Sequence, residues 1–182
     1  PLYGEHNILN TLAAIAICLQ YKISIENIYA YLKTFHNAKK RFSIEEVCGC
    51  TFLDDYAHHP TEITVTLQAV RQKFPNKRIV AVFLPNTYSR TLALRDDFVK
   101  ALSSADKVFV TAIHSDRELQ EEYPNVSSDL IIKEIPDAEL ISEETISKLD
   151  NEMDSIVCFM GCASTTAIRT AYRNRIKEVK GE

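Results

Sequence analysis

The chain has 182 residues, 46% of them hydrophobic and 25% charged, and a formal net charge of −4. That composition belongs to a globular chain long enough to bury a core in one domain and part of a second. The acidic balance argues against a basic nucleic-acid-binding face, and no apolar run approaches the roughly 18 residues of a membrane span.

In chain order, Leu9, Leu12, Ala13, Ala16 and Leu19 recur at helical spacing and predict a helix over 4–21. A second helix is expected over 24–35, with Ser24 as its N-cap and Ile25, Ile28, Leu32 and Phe35 on one face. The basic connector "NAKKRF" follows, and the pattern then changes. "FSIEEV" and "CTFLDDY" read as strands joined through Cys48-Gly49, a candidate hairpin. Pro60 stands where a helix begins, with Ile63, Leu67, Val70 and Phe74 as its buried stripe. "RIVAVFL" has the unbroken apolar run of a central parallel strand.

A helix is expected over 91–103, with Leu94, Phe98 and Leu102 inward, then the strand "KVFVTAI" and a polar surface loop, "HSDRELQEEYPN". A helix over 127–134, the short strand "AELI", a helix over 143–149 and the buried strand "SIVCFM" come next. Gly161 ends that strand, and Ser164 is placed to cap a last helix reaching about 179. Strands alternating with helices predict an α/β fold with a mostly parallel sheet flanked by helices. The first 42 residues read as a helical piece of a different unit.

Cys18, Cys48, Cys50, Cys158 and Cys162 are odd in number and spaced neither as a disulfide framework nor as a zinc site. They are expected to be reduced thiols, mostly in packing. The start of the chain carries neither an initiator Met nor a basic signal-peptide region, so the expectation is a fragment whose beginning lies upstream.

Five stretches carry candidate chemistry. "DDYAHHPTE" packs two aspartates, a tyrosine and two histidines onto the carboxyl end of a predicted strand, where open α/β sheets bind ligands. Asp55 suits a ribose hydroxyl and His58 a substrate group. The plainer alternative is that these residues cap the Pro60 helix. A metal site, and with it a metal-dependent hydrolase using His58 and His59, lacks an obvious third ligand. His6, Asn7 and Asn10 crowd one end of the first helix, as a capping cluster or as amides for an adenine edge. Arg41 lies on the connector, where its fork can swing onto a phosphate. Arg90, in "LPNTYSRT", is expected in the loop leading to the next helix, placed to clamp a carboxylate. "FMGCAST" can form an anion cradle or a simple helix cap.

Taken together, "HNILN", "KKRF", "DDYAHHPTEI", "FLPNTYSRT", "ADKVFV" and "VCFMG" resemble the ATP-dependent Mur ligases of peptidoglycan precursor synthesis. The likeness covers nearly the whole chain. Members have three domains: one for the UDP-sugar, a central P-loop ATPase, and a Rossmann-like third that brings in the amino acid. The resemblance implies that 1–42 is the helical tail of the central domain and 43–182 the Rossmann-like C-terminal domain. It implies a bacterial cytoplasmic enzyme acting on ATP, UDP-N-acetylmuramate and L-alanine through an acyl phosphate. No G-x-x-x-x-G-K-[ST] is present, and the only glycines are at 4, 49, 161 and 181. The phosphate-binding lysine and the Mg2+ ligands are therefore expected in preceding domains, and this chain alone is expected to be inactive.

The resemblance also implies roles. His6, Asn7 and Asn10 would sit near adenine, Arg41 would reach the nucleotide and Asp55 its ribose. Tyr56, His58, Asn86, Tyr88 and Arg90 would face the amino acid, with His58 and Arg90 as the catalytic pair and Arg90 holding the carboxylate. Departures from the family pattern fall at Leu84-Pro85-Asn86 (usually Gln-Pro-His), at Lys39-Lys40-Arg41-Phe42 (often Lys-Arg-Arg-Phe) and at Gly161-Cys162-Ala163-Ser164-Thr165 (usually G-A-G-[DS]-I). An Asn hydrogen-bonds but cannot carry a histidine's charge. Two other readings remain: a relative that recycles murein tripeptide, which usually lacks the Tyr-Ser-Arg-Thr pattern, and a binding module that has lost the chemistry.

Overall fold

The computed structural model describes residues 3–35, 38, 40–162 and 165–181. Lys39 and Ser164, both singled out above, lie outside the described residues.

Two helices lead the chain, α1 (Glu5–Gln20) and α2 (Ile25–Thr34), and Ser24 Oγ accepts the Asn27 N–H as the expected N-cap. Their apolar residues are unusual in their placement. No residue of α1 is buried, Ile28 is the only buried residue of α2, and Leu9, Leu12, Ile17, Tyr29, Leu32 and Phe35 are exposed.

The remaining residues build one six-stranded sheet. β1 (Ser43–Val47) and β2 (Cys50–Asp55) form the antiparallel hairpin, and Cys48 and Gly49 both take the positive φ of a tight hairpin turn (49° and 81°). α3 (Pro60–Lys73) leads to β3 (Ile79–Phe83), then α4 (Tyr88–Ala93), α5 (Arg95–Leu102) and β4 (Lys107–Val110). α6 (Asp129–Ile132), β5 (Glu139–Leu140), β6 (Ile156–Met160) and α7 (Thr166–Lys180) complete the chain. The strand order is β1-β2-β6-β3-β4-β5, and every pairing except β1 with β2 is parallel. The expected α/β architecture is thus present.

Side chains of each strand alternate between two cores. Leu53, Ala81, Phe83, Val108, Cys158 and Met160 face α3, α5 and α6, while Phe52, Val80, Val82, Phe109 and Phe159 face α7. Ile63, Leu67 and Val70 supply the α3 stripe, and Phe98 and Leu102 that of α5. Cys50 and Cys158 are buried free thiols.

Three elements differ from the sequence expectation. The single helix expected over 91–103 is two helices, beginning at Tyr88 and breaking at Leu94. Leu94 closes one and opens the other: its N–H bonds Arg90 O, and its carbonyl takes Phe98 N–H. Asp96 and Asp97 then sit in the first turn of α5, where acidic side chains are favoured. The helix expected over 127–134 is one turn, Asp129–Ile132, and the one expected over 143–149 is the 3₁₀ segment Ile146–Glu152. Each is anchored by a single buried apolar residue, Ile131 or Leu149, with the buried Glu152 closing the second.

Candidate functional site

Asp54 and Asp55 end β2, and the strand's alternation sends them to opposite faces. Asp54 points toward α7, where it accepts Thr165 Oγ1 at 2.7 Å and pairs with Arg169 Nη1 at 2.8 Å. Sequence reasoning missed this anchor because its partners lie more than a hundred residues away.

Asp55 points toward α3. Its Oδ2 accepts the Phe42 N–H at 2.7 Å, and its Oδ1 accepts the Ala57 N–H at 2.9 Å and the Thr66 hydroxyl at 3.3 Å. Burial raises its pKa above the ordinary carboxylate value, against the opposing pull of those donors and of Arg41. The bond to Phe42 crosses the junction between the helical hairpin and the sheet. Beside it, Tyr56 N–H bonds Lys40 O at 2.8 Å. Lys40 and Phe42 both hold left-handed φ values, 58° and 51°. For non-glycine residues that conformation is costly, and it is held here by the two bonds across the junction.

His6, Asn7, Asn10, Arg41 and Asp55 all line a single cleft of about 300 Å³, closed on the α3 side by Glu62, Val65 and Thr66. The five residues expected at the nucleotide therefore converge, from α1, the connector and the end of β2. Asn7 Nδ2 donates to Tyr3 O at 2.7 Å, so its amide orientation is fixed. Tyr3 stacks on Phe42 and has Lys73 Nζ 3.9 Å from its ring centre, which fastens the start of α1 to the sheet domain.

Tyr56 and His58 follow on the same loop. The Arg41 guanidinium stands 5.2 Å from the Tyr56 ring centre, and that ring meets His58 edge-on at 5.2 Å. His58 Nδ1 lies 3.0 Å from Tyr56 O and 3.2 Å from Glu62 Oε2. A nitrogen facing two acceptors carries the proton, so in neutral His58 the lone pair is on Nε2. Glu62 Oε2 also accepts the N–H groups of His58 and His59, while His59 Nδ1 caps Thr61. The capping role weighed for this motif is thus real, and it falls to His59 and Glu62 rather than to the aspartates.

Asn86, Tyr88 and Arg90 stand after β3. Arg90 lies within α4, not in the loop before it as expected from the sequence. The helix begins early because its cap comes from far along the chain: Glu118 accepts the Ser89 N–H at 3.0 Å and the Thr87 hydroxyl at 3.0 Å, as well as the Ser89 hydroxyl. Arg90 Nη1 donates to Asn86 O at 2.9 Å, and Arg90 has no ion pair among the described residues. Tyr88 stacks on Tyr123, centroids 5.9 Å apart. The Tyr56–His58 group and the Asn86–Arg90 group occupy the carboxyl edge on either side of β6, and no hydrogen bond joins them among the described residues.

Between them, Gly161 N–H bonds Asp55 O, and Leu84 N–H bonds Met160 O. A Cβ on Gly161 would meet Leu84 Cβ at 2.9 Å, so a glycine is needed for the two loops to approach this closely. The anion cradle weighed for this stretch involves Ala163 and Ser164, which lie outside the described residues.

Residues 40–163 match the model of the Mur ligase, glutamate ligase domain. The chain belongs to the Mur ligase family. A UDP-N-acetylmuramate–L-alanine ligase of Levilactobacillus brevis is 43% identical over 98% of this chain and 40% of its own length. Among solved structures, the UDP-N-acetylmuramate-alanine ligase of Thermotoga maritima superposes with a TM-score of 0.71 at 26% identity, over 99% of this chain and 39% of that one. A MurF ligase of Thermotoga maritima in complex with ADP shares the fold at a TM-score of 0.69 and 16% identity, over 97% of this chain and 40% of that one. This Mur ligase chain thus spans about 40% of the length of the curated relatives it matches. No helix among its described residues is long and apolar enough to cross a membrane.

Proposed function

We propose that the chain is the C-terminal part of an ATP-dependent ligase that joins L-alanine to UDP-N-acetylmuramate in peptidoglycan precursor synthesis in the bacterial cytoplasm. The observation that carries the reading is the convergence of His6, Asn7, Asn10, Arg41 and Asp55 on one cleft. The names of the curated relatives supply its chemistry: eight of them, 39–44% identical over nearly the whole chain, are UDP-N-acetylmuramate–L-alanine ligases.

In this reading 1–42 is the helical tail of a central ATPase domain and 43–182 the amino-acid-binding domain. The exposed apolar residues of α1 and α2 support that division, since a surface of that kind is ordinarily covered. The missing N-terminal and central domains of the same protein would cover it and supply the P-loop.

The reaction takes the γ-phosphoryl group of ATP onto the lactyl carboxylate of the UDP-sugar. The amine of alanine then attacks the acyl carbon, a C–N bond forms, and phosphate leaves. Asn7 and Asn10 offer amides to the adenine edge, Arg41 a cation to the nucleotide phosphates, and Asp55 a remaining lone pair to a ribose hydroxyl. His58 presents an unprotonated Nε2 that takes a proton from the alanine ammonium, and Arg90 keeps most of its fork for the alanine carboxylate. Domain closure brings these groups to the acyl phosphate and excludes water.

Magnesium, which the family implies, does not fit the residues of this chain. In the cleft both Asp55 oxygens and Glu62 Oε2 already take donors of the chain itself, and no group of three metal-ligating side chains occurs among the described residues. Its ligands are assigned to the preceding polypeptide.

The test is phosphate release by the whole protein that carries this chain. Release that requires ATP, UDP-N-acetylmuramate and L-alanine together is the expected result. Turnover with murein tripeptide in place of alanine would shift the assignment to the recycling relative, and no turnover with either would leave a binding module.

A further inference from the structure

The loop after β4 is bound to the turn after β3 at three separate points. His114 N–H bonds Pro85 O at 3.0 Å, Tyr123 stacks on Tyr88, and between them Glu118 gathers the donors of Thr87 and Ser89. Ser115 Oγ accepts the Glu118 N–H at 3.0 Å, which fixes the backbone that carries this carboxylate. Sequence patterning gave the whole stretch as a polar surface loop. Its contacts make it the support of the turn on which Asn86 and Arg90 stand.

The geometry leaves Arg90 dependent on that turn. Among the described residues the one hydrogen bond of its guanidinium is to the carbonyl of Asn86, the residue preceding Thr87, and it has no carboxylate partner there. A guanidinium on a flexible side chain is useful for bidentate recognition only when its origin and one edge are held. The Glu118 carboxylate is the group that does the holding: its oxygens take the Ser89 N–H and hydroxyl and the Thr87 hydroxyl, and so close the turn from outside. Those hydrogen bonds, the Ser89 hydroxyl first, also keep the Glu118 carboxyl below its ordinary pKa, so it is ionised throughout the neutral range. Its charge is spent on these donors, which limits its repulsion of a second carboxylate brought to Arg90.

We propose that Glu118 is a positioning residue for the amino-acid end of the site, fixing the Asn86–Ser89 turn so that the Arg90 guanidinium meets an incoming α-carboxylate. The proposal rests on the assignment of Arg90 to the amino-acid carboxylate made above. Glu118 touches no substrate; it acts through the turn.

The experiment is a kinetic comparison of the whole ligase with its Glu118→Ala and Glu118→Gln variants, varying alanine and ATP separately. In Glu118→Ala the KM for alanine rises roughly tenfold, the effect of one weakened charged hydrogen bond, while the KM for ATP stays within about twofold. Glu118→Gln recovers part of the loss, because its single amide oxygen replaces one of the two carboxylate oxygens and keeps either the Ser89 N–H or the Thr87 hydroxyl as a donor. Amide hydrogen exchange of the 86–90 segment accelerates in Glu118→Ala. An unchanged alanine KM, a parallel rise in the ATP KM, or unchanged exchange overturns the proposal. If Glu118→Ala does not fold, Ser89→Ala removes one donor and gives a smaller rise in the same direction, and no rise overturns it. If the wild-type protein turns over a different amino acid, the function assignment falls. The KM for that amino acid and the exchange of 86–90 then decide the role of Glu118.

Discussion

Phe42 donates its backbone N–H to Asp55 Oδ2 at 2.7 Å, so the connector from the helical hairpin is bonded to the last residue of β2. Asp55→Ala strips acceptors from Phe42, Ala57 and Thr66 at once. A loss of about 3 kcal/mol in unfolding free energy is expected, because buried donors are left without partners. Urea denaturation of this chain measures it. In the whole ligase the same change weakens ATP binding as well, and an unaltered nucleotide affinity would remove Asp55 from the ribose.

Arg90→Ala is expected to raise the KM for alanine sharply, by about 1–3 kcal/mol of lost transition-state and substrate binding. Initial-rate kinetics on the whole ligase decide it. Alanine kinetics that stay at wild-type values would place the carboxylate clamp elsewhere.

Glu62 ionises below its ordinary value of 4.5; burial alone would raise it, but the N–H groups of His58 and His59 and the charges of His58 and Arg41 outweigh burial. The unfolded chain therefore binds this proton more tightly than the folded one. The stability Glu62 contributes is complete above pH 4.5 and fades as the pH falls through its lower folded value. Its side chain is 38% exposed, so solvent screens the effect to about 0.5 kcal/mol. Glu62→Gln keeps the caps on His58 and His59 but flattens this part of the acid limb, as read from urea midpoints between pH 3 and pH 6 (a range bracketing the ordinary 4.5).

Gly161→Ala places a methyl group 2.9 Å from Leu84 Cβ and 3.0 Å from Leu84 O. Backbone cannot yield as a side-chain tip does, so the β3 and β6 loops must separate. A destabilisation of about 1–3 kcal/mol is expected, and denaturant unfolding of the variant checks it. A variant as stable as the parent would mean that the loops have slack.

The strands were legible because local chemistry determines them: an unbroken apolar run for β3 and β6, a Cys-Gly turn for the hairpin, Pro60 at the start of α3. The cleft formed by His6, Asn7, Asn10, Arg41 and Asp55 was legible for a different reason, since these residues sit in short distinctive motifs. What could not be read were contacts whose partners lie far apart in sequence. Nothing near Tyr88 announces a helix start, because its cap, Glu118, is 29 residues from Ser89. Nothing in "DDYAHH" separates the two aspartates until the sheet assigns Asp54 to α7 and Asp55 to α3. The split at Leu94 was hidden because Leu94, Phe98 and Leu102 keep one helical stripe across the break.

The sheet order has a consequence for synthesis on the ribosome. β6 lies between β2 and β3, and its Ile156 pairs with Thr51 on one side and Ile79 on the other. Until the nascent chain has delivered residues 156–160, the hairpin and the β3–β4–β5 group have no shared backbone bonds and expose two open strand edges. Cooperative assembly of the sheet therefore waits until β6 has been translated. A ribosome stalled before β6 would hold two unjoined half-sheets, ready to pair with a neighbouring chain instead.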